Sequence, residues 1–144
     1  LNIIGNLMTL PSALQKELSR TASMTGENKS LFLNLAINYS SRNEIVEAVK
    51  EIVRKVEEKN ITSEDINCDL ISRLLYTGGM PDPDLLIRTS GEMRLSNFLL
   101  WQMAYTEFWF TDKYWPDFRP IDLYTAISAY QDRDRRFGGS GANA

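Results

Sequence analysis

Leu31 to Ile37 reads Leu-Phe-Leu-Asn-Leu-Ala-Ile, an almost unbroken apolar run, and a strongly patterned helix follows within a few residues. A run this short cannot span a membrane, but it suits a strand covered on both faces, as in a parallel sheet. The helix announces itself with Ser41 and, three residues on, Glu44, the signature of a capping box. Ile45, Val49, Ile52, Val53 and Val56 then fall on one stripe at helical period, which predicts the core-facing side. Glu51 and Lys55 stand on another face at the favourable i, i+4 spacing.

The rest of the chain repeats this alternation. Leu1 to Gly5 reads as the tail of a strand whose start is missing, and Leu10, Leu14 and Leu18 lie one turn apart around a short helix after Pro11. Asn60 to Asp69 is polar and predicts a connector with a short helix starting near Thr62. Leu85 to Arg88 reads as a short strand entered through Pro81-Asp-Pro-Asp84, Leu95 to Ala104 as a helix, and Glu107 to Thr111 as a strand. A last helix starts near Pro120, turns Leu123, Ile127 and Tyr130 inward, and stops at Gly138-Gly139. Strands alternating with helices indicate an α/β fold, a mainly parallel sheet flanked by helices. No repeat and no linker divides the 144 residues, so residues 1–139 read as part of one domain and 140–144 as a disordered tail.

Composition matters chiefly for what it excludes. The chain has no histidine and one cysteine, Cys68, so Ser–His–Asp and Cys–His catalysis and His-based or Cys-cluster zinc sites are impossible within it. A net charge of −3 argues against a nucleic-acid platform, and Arg133, Arg135 and Arg136, interleaved with Asp132 and Asp134, read as a mixed-charge helix end. The lone cysteine and the lack of any signal or spanning segment predict a cytoplasmic protein.

Chemistry is concentrated in Ile87-Arg-Thr-Ser-Gly-Glu-Met-Arg-Leu-Ser-Asn-Phe98. Arg88 falls at the carboxyl end of a strand, where open α/β sheets bind ligands, and Gly91 allows a tight turn. Arg94 and Ser96 follow just before the expected helix, whose free N–H groups would add to the site. Two guanidinium forks, a hydroxyl and a helix start all suit a phosphate or diphosphate. Taken singly the residues read differently, Ser96 as an N-cap and the arginines as partners of Glu92, Asp82 or Asp84. Glu107, set among aromatic residues, needs a partner, either a loop arginine or a hard cation such as Mg²⁺ bridging to diphosphate oxygens. Asp82 and Asp84 could bind a metal, as in nucleotide-sugar transferases, or simply shape a rigid turn between Pro81 and Pro83. The aromatic residues from Phe98 to Phe118 read mostly as core.

Arg88-Thr-Ser-Gly-Glu-Met-Arg-Leu-Ser-Asn-Phe-Leu-Leu-Trp-Gln102, continuing through Tyr105-Thr-Glu107 and Trp115-Pro-Asp-Phe118 to Arg136-Phe-Gly-Gly139, resembles the cis-prenyltransferases, undecaprenyl diphosphate synthase above all. The resemblance implies condensation of isopentenyl diphosphate onto farnesyl diphosphate with cis double bonds, giving an undecaprenyl-type diphosphate for the cell-wall lipid carrier. It places the homoallylic diphosphate on Arg88, Arg94 and Ser96, sets Glu92 beside it, and gives Glu107 a share in holding Mg²⁺. Arg136 and Gly138 match a motif that reaches across a homodimer interface to the partner's substrate. The product would partition to the membrane, and the enzyme would be cytoplasmic or peripheral at the inner membrane. Met93 stands where some members carry a histidine. The family's N-terminal part, with its essential aspartate and its tunnel-forming helices, has no match here, so the chain alone is expected to be inactive. Two alternatives stay open at this stage: a non-catalytic subunit of a heteromeric cis-prenyltransferase, and a nucleotide-sugar transferase using Asp82 and Asp84.

Overall fold

The computed structural model describes residues 1–133 and divides the chain into two compact units. The first comprises Leu1–Met80 with Asn97–Leu99, the second Pro81–Ser96 with the residues from Leu100 onward.

In the first unit β1 (Asn2–Ile4) and β2 (Asn34–Ala36) pair in parallel, Ile3 opposite Leu35. Parallel strands need a crossover, and α1 (Ser12–Met24), which packs against β1, supplies it. Gly5 ends β1 with φ at 122°, and a Cβ there would lie 2.1 Å from the Ile37 carbonyl oxygen, so only glycine lets the two chain segments approach this closely. The apolar run is not covered on both faces: Leu31 is 76% and Phe32 79% exposed, and β2 itself is exposed along its length. Among the described residues β2 has one sheet neighbour, β1, and its three residues are exposed.

α2 (Ser41–Glu57) forms as its period predicts, but its cap and its buried face both shift. Ser40, not Ser41, is the N-cap, accepting the Asn43 N–H at 3.3 Å. The buried positions are Ser41, Glu44, Ala48 and Ile52, whereas Val46, Val49, Val53 and Val56 of the apolar side are exposed. The reason is polar: Glu44, 1% exposed, accepts hydrogen bonds from the Tyr39 hydroxyl and, at 3.2 Å, from the Tyr76 N–H. Satisfying that carboxylate fixes which face turns inward. α3 (Cys68–Leu74), which the polar sequence hid, packs against α2 and is capped by the Asn67 side chain on the Leu70 N–H. Thr62 and Asp65 form the capping box of a 3-10 turn at Ser63–Asp65, the short helix start expected there.

In the second unit β3 (Leu85–Arg88) and β4 (Glu107–Phe110) are again parallel, in register from Leu85↔Glu107 to Arg88↔Phe110. α4 (Pro120–Gln131) packs on β4 and ends at Gln131, not at Gly138-Gly139. It buries Asp122 and Ala126, while Leu123 and Ile127, expected inward, remain substantially exposed. Asp122 accepts from the Lys113 ammonium at 2.6 Å and from the Arg119 N–H at 2.8 Å, which again sets the inward face by a satisfied carboxylate. The helix expected over Leu95–Ala104 does not form; the chain there runs through successive turns.

Candidate functional site

Arg88 closes β3, and its carbonyl continues the ladder by accepting the Thr111 N–H at 3.0 Å. The chain then turns sharply, Ser90 and Gly91 both left-handed at φ 70° and 67°. Their N–H groups donate to the Lys113 and Thr111 carbonyls at 2.8 and 2.9 Å, so the loop is fastened to the extension of β4. The left-handed φ of 67° is what favours glycine at position 91, since a Cβ there would meet only the movable end of the Asp112 side chain, at 2.9 Å.

This frame brings Arg88 to Ser96. The Arg88 guanidinium donates from Nη2 to the Ser96 hydroxyl at 3.3 Å, a contact exposed to solvent. Arg94 pairs with Glu92, the arginine side chain 64% exposed. Two guanidinium groups, a hydroxyl and a carboxylate therefore belong to one loop of the second unit. Planar guanidinium forks are well matched to phosphate oxygens, and an exposed ion pair is easily exchanged for a better anion. The helix-start N–H groups expected here are absent, however. Ser96, Asn97 and Leu99 have φ values of 51°, 63° and 45°, which no right-handed helix accommodates, so Ser96 is not an N-cap. Whatever anion affinity the loop has comes from side chains.

Glu107 lies elsewhere in the same unit. It opens β4 opposite Leu85, three rungs from Arg88 and roughly 10 Å away along the strands. Alternation also places it on the opposite sheet face from Arg88. Its partner is Arg133, just beyond α4, whose Nη1 donates to Oε2 at 2.6 Å. Sequence reading passed over Arg133; its only signal was the mixed-charge cluster at the helix end. Asp84 accepts the Tyr130 hydroxyl at 3.1 Å, and its carbonyl accepts the Glu107 N–H at 3.0 Å, so this part of the acidic pair works within the fold.

Among the described residues no three acids or cysteines gather to hold a metal. One carboxylate suffices for Mg²⁺ when diphosphate oxygens and waters complete the shell. Glu107, however, is already matched by Arg133 and turned away from Arg88, so the placed donors do not fit a metal at the arginine loop. Arg136 and Gly138 lie outside the described residues.

Asn97, in the first unit, caps α2 from a distant part of the chain. Its carbonyl accepts the Ser41 N–H at 3.0 Å, its Oδ1 accepts the Arg42 N–H at 2.9 Å, and its Nδ2 donates to the Ser40 hydroxyl at 2.8 Å. With the Asn43 N–H on Ser40, these bonds serve the N–H groups that a helix start leaves open. Beside Asn97, Phe98 meets Tyr39 edge-on with ring centroids 5.6 Å apart. The first unit also has a cavity of about 300 Å³ beyond the carboxyl ends of β1 and β2, lined mainly by Asn6, Asn38, Ser40, Asn43, Lys50 and Tyr76. No sequence pattern had marked it.

Parallel strand pairs with packed helices, and an arginine closing β3 beside a hydroxyl of the following loop, define an α/β protein. The family model described as "Putative undecaprenyl diphosphate synthase" matches residues 1–138, and the chain belongs to that prenyltransferase family. Isoprenyl transferases from Clostridium tetani and Geobacillus kaustophilus are 51% and 54% identical over 138 and 140 residues, 96% and 97% of this chain. The chain spans about half the length of these relatives, 54% in each case. Its structure is similar to that of lavandulyl diphosphate synthase from Lavandula x intermedia in complex with dimethylallyl diphosphate, at a TM-score of 0.92 and 42% identity, covering 95% of this chain and 59% of that one. A probable undecaprenyl diphosphate synthase from Campylobacter jejuni aligns at a TM-score of 0.81 and 30% identity, over 95% of this chain and 62% of that one.

Proposed function

We propose that this chain is the diphosphate-holding carboxyl-terminal part of a cis-prenyltransferase that condenses isopentenyl diphosphate onto farnesyl diphosphate, making an undecaprenyl-type diphosphate for the cell-wall lipid carrier. The observation that carries the reading is the Arg88 guanidinium on the Ser96 hydroxyl, on the loop that also bears Arg94. In the condensation a carbon–carbon bond forms between the terminal alkene carbon of isopentenyl diphosphate and C1 of the allylic primer. The allylic C–O bond breaks, diphosphate departs with its electron pair, and isopentenyl diphosphate loses a proton. Arg88, Arg94 and Ser96 hold the diphosphate of the incoming unit and fix where its alkene lies; their contribution is positioning. Glu92 occupies Arg94 until that diphosphate arrives. Mg²⁺ is the metal the resemblance implies, whereas Glu107 is matched by Arg133 and lies on the other sheet face from Arg88. Arg136 and Gly138 would serve a homodimer, each chain reaching toward its partner's substrate. The aspartate on which turnover depends matches no position in this chain, so the chain alone is inactive.

The test mixes the chain with a separately made amino-terminal part of the enzyme and follows radiolabelled isopentenyl diphosphate into long products, with Mg²⁺ present. Incorporation is expected only in the mixture. No incorporation in any combination, with both parts folded, would reject the reading in favour of a non-catalytic subunit. A nucleotide-sugar transferase is not supported, since Asp84 is engaged by Tyr130 and the family is that of prenyltransferases.

A further inference from the structure

Within the second unit, the turn after Arg88 hangs on the chain just beyond β4. The Ser90 N–H donates to the Lys113 carbonyl at 2.8 Å, and the Gly91 N–H to the Thr111 carbonyl at 2.9 Å. Ser90 holds left-handed backbone at φ 70° without being glycine, a conformation that persists only where surrounding contacts impose it. The carbonyl that fastens Ser90 belongs to Lys113, which lies in no helix or strand and needs a support of its own.

That support is a carboxylate of α4. Asp122, 8% exposed, accepts the Lys113 ammonium on Oδ1 at 2.6 Å and the Arg119 N–H on Oδ2 at 2.8 Å. A carboxylate so enclosed is stable only with its oxygens matched, so the two bonds tie position 113 to the first turn of α4. α4 packs on β4, the strand that leads to Lys113, so the tie closes on itself inside the unit that carries the arginines.

We infer that Asp122 is a positioning residue for diphosphate binding: through its ion pair with Lys113 it fixes the chain beyond β4, and so holds the left-handed turn from which the loop of Arg88, Arg94 and Ser96 takes its shape. The inference rests on the reading that those three residues bind the diphosphate. Asp122 makes its hydrogen bonds to Lys113 and Arg119 and acts on the loop through the Lys113 carbonyl, one hydrogen bond from Ser90. Serine at position 90 makes the turn depend on this fastening, because a side chain there resists the backbone that glycine adopts freely.

The experiment uses the full-length enzyme carrying this chain and measures KM and kcat for isopentenyl diphosphate, together with its calorimetric dissociation constant. Asp122→Asn puts an NH₂ where one carboxylate oxygen was, so the Lys113 ammonium and the Arg119 N–H are no longer both served. For a partly exposed ion pair we expect KM and the dissociation constant to rise about fivefold, with kcat within about twofold of the parent. Lys113→Met keeps the stem and the backbone carbonyl without the ammonium, and should weaken binding to a similar extent. The double variant should bind no worse than either single one, since both remove the same interaction. Lys113→Arg keeps a cation for Asp122 and should stay within about twofold of the parent on every measure. Should Asp122→Asn fail to yield soluble enzyme, Lys113→Met carries the test. Parent-like binding in Lys113→Met, a fall in kcat with KM and binding unchanged, or additive losses in the double variant would overturn the inference. Arg88→Ala is run alongside: an unchanged KM there would instead overturn the diphosphate reading itself.

Discussion

The two arginines of the loop differ in what they stand to lose. Arg88 is half-buried at a strand end, whereas Arg94 is mostly exposed and paired with Glu92. Charge-assisted contacts strengthen as water is excluded, so Arg88→Ala is expected to raise KM for isopentenyl diphosphate about 10- to 100-fold and Arg94→Ala less. Steady-state kinetics of both variants in the full-length enzyme checks the order, and equal or absent effects would contradict it. At this scale much was legible. A strand ending in arginine, a glycine immediately before Glu92 and a second arginine named the loop, and the structure joins Arg88 to Ser96. The partner of Glu107 was not legible. Parallel pairing sets Glu107 at the far end and on the other face from Arg88, and Arg133 comes from beyond α4 to meet it. Such a pairing depends on register, which no local pattern of residues encodes.

Helix α2 shows how an element can be foreseen and its orientation missed. Its length and period were plain, yet the inward face is the one bearing Glu44, not the valine stripe. Glu44→Gln leaves one of the Tyr39 hydroxyl and Tyr76 N–H facing an amide NH₂, and is expected to cost about 1–3 kcal/mol, read from the denaturant midpoint. A variant as stable as the parent would mean that the carboxylate does not anchor the face. Gly5→Ala tests the other close approach. Its φ of 122° and the 2.1 Å clash with the Ile37 carbonyl should cost roughly 2–4 kcal/mol by the same measurement. The segment after Leu95 failed as a helix for a reason of the same kind. Asn97 makes hydrogen bonds to Ser40, Ser41 and Arg42 that outweigh its neighbours' helix propensity.

Across the whole molecule the titrating groups predict a stability window bounded on both sides. The Lys113 ammonium and the Arg119 N–H hold the Asp122 carboxyl below the ordinary carboxylate range. A depressed folded value contributes stability that is complete above the unfolded value, about pH 4, and lost as pH falls through the folded one. Burial, followed by the hydrogen bond to Glu44, raises the Tyr39 hydroxyl well above the usual tyrosine range. That contribution is complete below about pH 10 and is lost as pH rises further, because the unfolded tyrosine ionises first. Thermal melts across pH should fall at both ends, with Asp122→Asn flattening the acid limb and Tyr39→Phe the alkaline one; limbs unchanged in those variants would refute the assignment. The sequence by itself determined the class of fold, the strands and most helices, and the loop bearing Arg88, Arg94 and Ser96, because periodicity, caps and turn residues act over a few neighbouring positions. Tertiary structure alone decided which faces turned inward, that Leu95–Ala104 stays unwound, and which charges met. Those outcomes rest on buried polar groups finding partners across the chain, and such partners are chosen by space and not by spacing.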